Sequence, residues 1–336
     1  MKKWLKGFSR KTKAIILGLL IVCLSVGGYF IWTNVNKAPS NIDTDIDVNK
    51  ESMVYRRIYL LSDKGLVVPI TVSFEKKDDL AEELVYVTSL LREGSPVIKG
   101  NLRPVLDDEV KINKLVIKDK VLTIDFSEEF ANYDARNEIR ILEALAWTYS
   151  QYNEVESIKI SVDEKILTHM PINKTPIPEN LYKDFGINNH VFHRDVNTVS
   201  VITLYETTIN DERVYVPVTR GVKLEGNLLN TVAKYLSGKA SILSGLTPIE
   251  ELQNLDLVSA TVNEEKVLEL EVGITALVDE TSVSKEIYDL LVIHFTEQIS
   301  EIESVTVKVD GEVMQVSGYD EEVIPVSSII YNELKI

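Results

Sequence analysis

Apolar residues after position 52 recur at two spacings, every second position in short runs and every third or fourth in longer ones. The first spacing predicts half-buried strands and the second predicts amphipathic helices. In chain order, the predicted elements are a hairpin of Arg57–Ser62 and Leu66–Phe74, a helix capped by Asp78 and Asp79 that stops at Gly94, strands Lys114–Lys118 and Val121–Phe126, a helix containing Ile139, Leu142, Leu145, Ala146 and Tyr149, and a strand at Ser157–Val162.

The same order of patterns returns later in the chain. Five short segments of the first half align with segments of the second half at offsets of 144 to 148 positions. The pairs are LVVPITV (Leu66–Val72) with VYVPVTR (Val214–Arg220), RPVLDDEV (Arg103–Val110) with TPIEELQN (Thr247–Asn254), KVLTIDFS (Lys120–Ser127) with KVLELEVG (Lys266–Gly273), ESIKISVD (Glu156–Asp163) with ESVTVKVD (Glu303–Asp310), and Ile177-Pro178 with Ile324-Pro325. Ordered matches at nearly one offset indicate a tandem duplication.

The second copy is predicted to contain the same elements at shifted positions. They are a hairpin of Ser200–Tyr205 and Arg213–Thr219 joined through Thr207–Glu212, a helix from Asn227 to Gly238, a helix containing Ile287, Leu290, Leu291, His294 and Phe295, and a strand at Ser304–Val309. We therefore predict the α+β class, with two tandem small sandwich modules in which helices cover one face of a mostly antiparallel sheet. The predicted modules are residues 53–185 and 198–336, joined by a linker at 186–197.

The repeated KVL strand shares its inward residues between the copies and changes its outward ones. The inward residues are Leu122, Ile124 and Phe126 in the first copy and Leu268, Leu270 and Val272 in the second. Burying three such side chains contributes roughly 4 to 9 kcal/mol before conformational entropy is subtracted, which explains the pattern without a site. The outward residues change from Thr123 and Asp125 to Glu269 and Glu271. We predict that these four residues belong to the interaction surfaces that distinguish the modules.

The first 52 residues have a different composition. Residues 1–13 hold six basic residues and no acidic one, residues 14–32 hold no charge, and residues 33–52 are polar without periodicity. An uncharged helix of nineteen residues rises about 28 Å, which nearly matches the hydrocarbon core of a bilayer. These patterns predict a cytoplasmic leader (1–13), a transmembrane helix (14–32) and a flexible tether (33–52). The modules should therefore lie outside the cytoplasmic membrane of a single-pass protein.

Two alternatives for the apolar segment are a cleaved signal peptide and a lipoprotein signal. The nearest small-x-small site, Val26-Gly27-Gly28, lies inside the apolar run. Cys23 follows Leu20-Ile21-Val22 rather than a small residue, so lipidation is not expected. We therefore expect a retained anchor. Because Cys23 is the only cysteine, the modules contain no disulfide and no thiol nucleophile.

Charge and motifs restrict the possible chemistry. The formal net charge is −16 and basic residues cluster only in the leader, which argues against a nucleic acid partner. The motifs G-x-S-x-G, G-x-G-x-x-G and H-E-x-x-H do not occur. His190 and His193, with Asp195 nearby, have metal-ligand spacing, but they fall in the predicted linker and have no counterpart in the other copy. We predict no catalytic residue, no cofactor and no metal.

Adjacent carboxylates, such as Glu128-Glu129, raise the question of glycoside hydrolysis. That reaction needs two carboxyl groups in one cleft, usually beside aromatic platforms. Trp147 is the only tryptophan after residue 52 and its helical neighbours are apolar. A solvated acidic surface is the better interpretation.

Four features carry a resemblance to a known family. They are the hairpin ending in VPVT (Val216–Thr219), the capped helix after it, the loops led by Arg103-Pro104 and Thr247-Pro248, and the strand and turn VLTIDFSEEF (Val121–Phe130). Together they resemble the GerMN domain family of sporulation and spore germination proteins, from about residue 53 to the end. The resemblance implies a spore-forming Gram-positive source and an extracytoplasmic location. It also implies units similar to ring-building motifs, which dock onto other extracytoplasmic or membrane proteins of the channel between mother cell and forespore.

The leading functional hypothesis is a non-catalytic, membrane-anchored scaffold or adaptor of sporulation and germination that works through protein–protein assembly. It rests on duplicated structure without a recognisable duplicated catalytic motif. The alternative from another class is a protein that binds or modifies cell-wall peptidoglycan. A third hypothesis is a ligand-sensing module of germination.

Overall fold

The computed structural model describes residues 53–189, 198–238 and 243–334. Residues 53–336 form one unit, which holds both copies of the repeat. The predicted leader, membrane helix and tether, and the His190/His193 pair, lie outside the described residues. No helix in the described ranges has both the length and the apolar character needed to cross a bilayer.

The first copy consists of eight strands and two helices in the described residues. They are β1 (Met53–Ser62), β2 (Val67–Glu75), α1 (Leu80–Leu90), β3 (Leu102–Arg103), β4 (Ile112–Lys118), β5 (Val121–Phe126), α2 (Glu138–Tyr149), β6 (Ser157–Val162), β7 (Lys165–Ile166) and β8 (Leu181–Tyr182).

The second copy repeats this order with small additions. Its elements are β9 (Thr198–Ile209), β10 (Glu212–Lys223), α3 (Leu228–Lys234), β11 (Thr247–Pro248), α4 (Glu250–Gln253), β12 (Leu257–Val262), β13 (Val267–Val272), β14 (Ser282–Val283), α5 (Lys285–Thr296), β15 (Ser304–Val309), β16 (Glu312–Val313), β17 (Gln315–Val316) and β18 (Ile324–Pro325).

Each copy has two main sheets where the sequence predicted one. A three-stranded sheet has the order β2-β1-β3, and its counterpart has the order β10-β9-β11. A five-stranded sheet has the order β4-β5-β6-β7 with β8 also paired to β6, and its counterpart is β12-β13-β15-β16 with β18 paired to β15. The pairs β5/β6 and β13/β15 are parallel, because a helix crosses over between the two strands of each pair.

The long helix of each copy is buried on nearly all sides, which explains why apolar residues occur around most of its circumference. In the first copy α2 contacts both β1 and β6, so it lies between the two sheets. Residues 141–149 of α2 are all buried, whereas Ile139, predicted to belong to the apolar face, is 41% exposed. Trp147 of α2 packs edge-on against Tyr59 of β1, with ring centroids 5.6 Å apart. The prediction of helices on a single sheet face was therefore too simple.

The second hairpin is longer than predicted, and its turn is tighter. Residues 207–209 continue β9, and the turn is the pair Asn210-Asp211 with φ of 51° and 67°. The same left-handed pair occurs between β4 and β5 at Asp119-Lys120, with φ of 51° and 60°. Asn and Asp tolerate this conformation, and the resulting two-residue turn matches the twist of the strands. Because Thr207–Glu212 is a mostly polar run, the sequence predicted a loop of six residues where the structure has a turn of two.

The first helix of each copy begins at the predicted cap. Asp79 accepts a hydrogen bond from the backbone N–H of Glu82 at 2.8 Å, and Asn227 accepts one from Asn230 at 2.8 Å. However, α3 ends at Lys234 rather than near Gly238. A side chain at Gly238 would lie 2.7 Å from the Tyr205 ring, so the chain turns there to pack against that ring.

A repeated glutamine ties the long helix of each copy to the first strand. The Gln151 amide accepts from Arg57 N at 3.0 Å and donates to Arg57 O at 2.7 Å. Gln298 does the same to Ile202, at 2.8 and 3.0 Å. An amide that satisfies both backbone groups of one residue acts as an additional ladder partner for that strand.

A carboxylate fixes the turn after the closing strand of each five-stranded sheet. Asp125 Oδ1 accepts from Ser161 Oγ at 2.6 Å and from Glu164 N at 2.8 Å. Glu271 Oε1 accepts from Gly311 N at 2.9 Å in the second copy. Burial opposes ionisation of Asp125, but these hydrogen bonds outweigh it and lower the pKa of the carboxyl.

We expect Asp125→Ala to destabilise the protein by about 1–3 kcal/mol, because it leaves a buried hydroxyl and a backbone N–H without their acceptor. Urea unfolding of the full chain in detergent measures the change. The matched control is Thr123→Ala on the same face of β5, which we expect to change stability by less than about 0.5 kcal/mol. Equal effects of the two substitutions would refute the capping role.

Candidate functional site

The two copies meet along a seam formed by strands β2 and β10. Each strand lies at the outer edge of its three-stranded sheet, and the two strands contact each other. Each contains one proline at the seam, Pro69 in β2 and Pro217 in β10. Proline has no N–H to donate, so these two edges cannot pair with each other as an ordinary ladder. Other groups must therefore satisfy the buried carbonyl oxygens.

Asn188 is the first of these groups and is fully buried. Its Oδ1 accepts from Val67 N at 2.8 Å, and its Nδ2 donates to Val67 O at 2.7 Å and to Pro217 O at 3.0 Å. One side chain therefore joins a strand of the first copy to a strand of the second. The residue belongs to the predicted linker 186–197, of which residues 190–197 lie outside the described residues.

Asn332 makes the same three bonds with the roles of the copies exchanged. Its Oδ1 accepts from Tyr215 N at 2.9 Å, and its Nδ2 donates to Tyr215 O at 2.7 Å and to Pro69 O at 2.9 Å. Tyr215 and Pro217 stand 148 positions after Val67 and Pro69. Asn188 and Asn332 both have left-handed backbones, with φ of 50° and 52°. The seam therefore has an approximate twofold symmetry.

A threonine of each strand binds the segment that carries the asparagine. Thr219 N donates to Ile187 O at 2.8 Å, and Ile187 N donates to Thr219 Oγ1 at 2.9 Å. Thr71 N donates to Asn332 O at 2.9 Å, and Thr71 Oγ1 donates to Tyr331 O at 2.6 Å. The end of each copy thus crosses onto the hairpin of the other.

A buried ion cluster lies beside the seam and also links the copies. Glu297, at the end of α5, forms ion pairs with Arg57 of β1 and with Lys183, whose Nζ is 2.6 Å from Glu297 Oε2. Tyr331 Oη donates to Glu297 Oε1 at 3.0 Å. The side chain of Glu297 is 2% exposed, while those of Arg57 and Lys183 are each 32% exposed. Burial alone would raise the pKa of Glu297, but the two cations and the hydrogen bonds lower it to about 2.

The ion cluster forms one wall of a cleft of about 470 Å³ between the copies. Trp147, Tyr152 and Lys183 line it from the first copy, and Ile202, Glu297 and Gln298 line it from the second. Lys183 Nζ lies 4.5 Å from the centre of the Trp147 ring, and Trp147 Nε1 donates to Gly186 O at 3.1 Å. Lys183 is thus held by Trp147 of its own copy and by Glu297 of the other copy, which suits a structural joint rather than a reacting centre.

The described residues contain no group of three or more His, Cys, Asp or Glu side chains placed to hold a metal ion. His294 is fully buried, its Nε2 lies 2.9 Å from Val232 O, and burial lowers its pKa to about 4. It is therefore a neutral core residue at physiological pH.

Comparisons with known proteins identify the architecture. A family described as "Germane: Sporulation and spore germination" matches residues 57–168. The spore germination protein GerM of Bacillus subtilis is 29% identical over 272 residues, which cover 78% of this chain and 73% of that protein. The solved structure of the tandem GerMN domains of the sporulation protein GerM from Bacillus subtilis superposes with a TM-score of 0.69 at 27% identity, covering 83% of this chain and 99% of that structure.

This chain is therefore similar to GerM over most of its length, and its two modules resemble tandem GerMN domains. The resemblance inferred from the VPVT hairpin, the capped helix and the DFS strand end is confirmed. So is the prediction of two tandem modules of mixed α and β structure.

The four predicted surface residues of this GerM-like protein lie on two different sheets. Thr123 and Asp125 are on β5, and Glu269 and Glu271 are on β13. Asp125 is only 5% exposed, and like Glu271 it is bonded to a turn. Glu269 pairs with Lys308 at 2.7 Å, which lowers the pKa of the glutamate. Their role in binding a partner stays a prediction.

Sequence reasoning missed the seam residues. Asn188 and Asn332 are 144 positions apart, within the range of the repeat offsets, so a search for repeated polar residues would have found them. Arg57 and Glu297 are 240 positions apart and have no local signal that pairs them.

We expect Asn188→Gly and Asn332→Gly each to lower stability by about 2–4 kcal/mol, because each removes three hydrogen bonds at buried strand edges. Glycine tolerates the left-handed backbone, so the effect isolates the side chain. The control is Asp119→Gly, an exposed turn residue with φ of 51°, which should change stability by less than about 1 kcal/mol. Chemical unfolding of the three variants is the measurement, and a seam effect no larger than the control would contradict the assignment.

The Glu297 cluster should make stability depend on acid pH. A carboxyl with its pKa lowered from 4.5 to about 2 contributes stability that is complete above about pH 4.5 and is lost as pH falls through about 2. We expect Glu297→Gln to remove about 3 kcal/mol of that dependence. Unfolding free energies measured at intervals from pH 7 to pH 2 provide the slope. Glu321→Gln, on an exposed loop, is the control, and identical slopes for both variants would refute the prediction.

Proposed function

We propose that this GerM-like protein is a membrane-anchored, extracytoplasmic and non-catalytic scaffold of sporulation and spore germination. The observation that carries the proposal is the seam. Paired asparagines, crossed chain ends and a buried ion cluster join the two modules, so each five-stranded sheet is held in a fixed relation to the other. A fixed pair of surfaces can engage two partners, or two sites on one partner, at high effective concentration.

The use of polar residues also favours a scaffold over an enzyme. Three pairs of polar residues that correspond between the copies are Gln151 with Gln298, Asp125 with Glu271, and Asn188 with Asn332. Each of them satisfies backbone groups of a strand or a turn. Catalysis would require a nucleophile or base aimed at open space, and these side chains are engaged within the fold.

The outward faces of the five-stranded sheets are the proposed partner surfaces. Thr123 and Glu269 occupy corresponding positions on β5 and β13 and differ in charge. The two modules therefore present different chemistry on the same scaffold, which suits two different protein partners of an extracytoplasmic sporulation complex.

Location follows from the sequence of the first 52 residues. The uncharged run at 14–32 with its basic flank supports a single transmembrane helix with a cytoplasmic N-terminus. The tether at 33–52 then places both modules outside the membrane. GerM of Bacillus subtilis is described as a spore germination protein, and we propose the same process for this chain.

We expect the full chain, expressed in Bacillus subtilis cells that lack GerM, to restore heat-resistant spore formation. The variant Thr123→Arg with Glu269→Lys should fold normally but restore fewer than about one tenth of the spores, because the new positive charges on the two outward faces disrupt partner binding. Thr123→Ser with Glu269→Gln is the milder control. Crosslinking followed by mass spectrometry should recover protein partners with the unchanged chain and lose them with the Thr123→Arg/Glu269→Lys variant.

A second measurement separates the scaffold from a cell-wall protein. Purified peptidoglycan is incubated with the full chain, and both sedimentation of the chain and release of soluble fragments are followed. The scaffold predicts neither. Release of fragments would show an enzyme, and sedimentation without release would show a wall anchor.

A further inference from the structure

The first module has an open groove between helix α1 and strand β4. The groove has a volume of about 590 Å³. Its apolar lining is Ala81, Val85 and Tyr86 from the helix and Ile112 and Leu115 from the strand. Asp79 and Glu82 lie at the end of the groove where α1 begins. Val85 is 47% exposed, a large value for an apolar residue that faces a groove. Neither wall has a covering element in the described part of the chain.

Strand β4 is also an open sheet edge. It pairs with β5 alone among the described residues, so alternate backbone N–H and C=O groups along its other side have no ladder partner. Val116 and Ile117 of this strand are 40% and 37% exposed. An open edge beside a helix is the arrangement that accepts an added strand in β-augmentation, where backbone bonds give affinity and alternate side chains give specificity.

The two faces of β4 differ in chemistry. Leu115 pairs across from the buried Ile124, so its side chain lies on the groove side of the sheet. Lys114 and Lys118 pair across from Asp125 and Val121 on the opposite side. Both lysines are exposed, and neither forms an ion pair within the described residues. A strand added to β4 would therefore place every second side chain in an apolar groove and the others beside lysines.

A smaller pocket of about 210 Å³ continues the groove toward the end of α1. It shares Val85, Ser89 and Ile112 with the groove and is lined at its far end by Arg92. The Nε atom of Arg92 is buried and has no hydrogen-bond acceptor among the described residues. The Nη2 atom of the same guanidinium donates to Asp108 O, so the side chain is held at the end of the pocket and only its Nε lacks an acceptor.

We propose that the α1/β4 groove binds an extended segment of a partner protein in which apolar and acidic residues alternate. The segment adds to β4 as a new edge strand, inserts its apolar side chains between α1 and β4, and directs its carboxylates toward Lys114 and Lys118 on the opposite face. The proposal deepens the scaffold function and rests on it, since it names a partner chemistry for the first module.

The second module lacks these charges at the corresponding strand. Ser259 and Thr261 of β12 are the exposed residues that pair across from Glu271 and Glu269. The outward face there is acidic, which would repel the same segment. The site therefore belongs to the first module, and β12 supplies a matched control.

The test uses the full chain in detergent and synthetic peptides of seven residues, the length of β4. The probe is fluorescein-labelled Val-Asp-Val-Asp-Val-Asp-Val. Two comparison peptides carry lysine in place of aspartate, or the same composition with the aspartates grouped at one end. Fluorescence anisotropy reports binding, and hydrogen exchange followed by mass spectrometry reports which backbone amides become protected.

We expect the alternating acidic peptide to bind best and to protect the amides of β4. Lys114→Glu with Lys118→Glu should weaken it by about tenfold and should favour the lysine peptide instead, because two attractions become repulsions. Val85→Asp should weaken both peptides, since it places a charge in the apolar wall. The control Ser259→Glu with Thr261→Glu should leave binding unchanged.

Unchanged preference in the charge-swapped variant would overturn the proposal, as would protection outside β4 and α1, or no binding of the acidic peptide at millimolar concentration. These outcomes concern the groove alone. Spore formation by the unchanged chain in cells without GerM would still support the scaffold, so the two failures can be told apart.

Discussion

The structure depends on hydrogen bonds to the buried backbone groups at two strand edges. Each of these edges contains a proline. β2 and β10 end their sheets at the seam, and a buried carbonyl without a donor would cost about 1–3 kcal/mol each. Pro69 and Pro217 prevent direct pairing of the edges, and Asn188 and Asn332 supply the missing donors. The repeated VP motif and the repeated asparagines therefore form one device. Because the arrangement has approximate twofold symmetry, each module supplies one asparagine that binds the proline carbonyl oxygen of the other module.

This arrangement explains the burial pattern of the hairpins. Residues 67–72 of β2 are buried without alternation, because one face meets the core of the first module and the other side lies against the second. Residues of β9 and β10, including Tyr205, Val216 and Val218, belong to the same hydrophobic cluster as the core of the first module. The two modules are thus repeated in sequence but do not have wholly separate cores.

Local pattern was enough to predict most elements and not enough to predict their arrangement. The closing strands Ser157–Val162 and Ser304–Val309 and the caps Asp79 and Asn227 lie where periodicity and cap residues indicate. The division into two sheets was missed because apolar and polar residues alternate along a strand in the same way whether the strands form one sheet or two. The ion cluster was missed because Arg57 and Glu297 meet only after both modules fold. Asp125 was predicted to be a surface residue because the alternation of residues along a strand shows which face of the sheet a side chain lies on. It does not show whether a turn covers that side chain, as happens here.

The protein treats its strand edges in two opposite ways. At the seam, six side-chain amide bonds and two threonines close the edges of β2 and β10, so those edges are unavailable to other chains. At β4 the edge is open among the described residues, and Lys114 and Lys118 are exposed beside it. Their positive charges repel a basic strand and attract an acidic one. An edge guarded in this way is therefore selective rather than blocked, and the rigid seam ensures that whatever binds there is held in a defined relation to the second module.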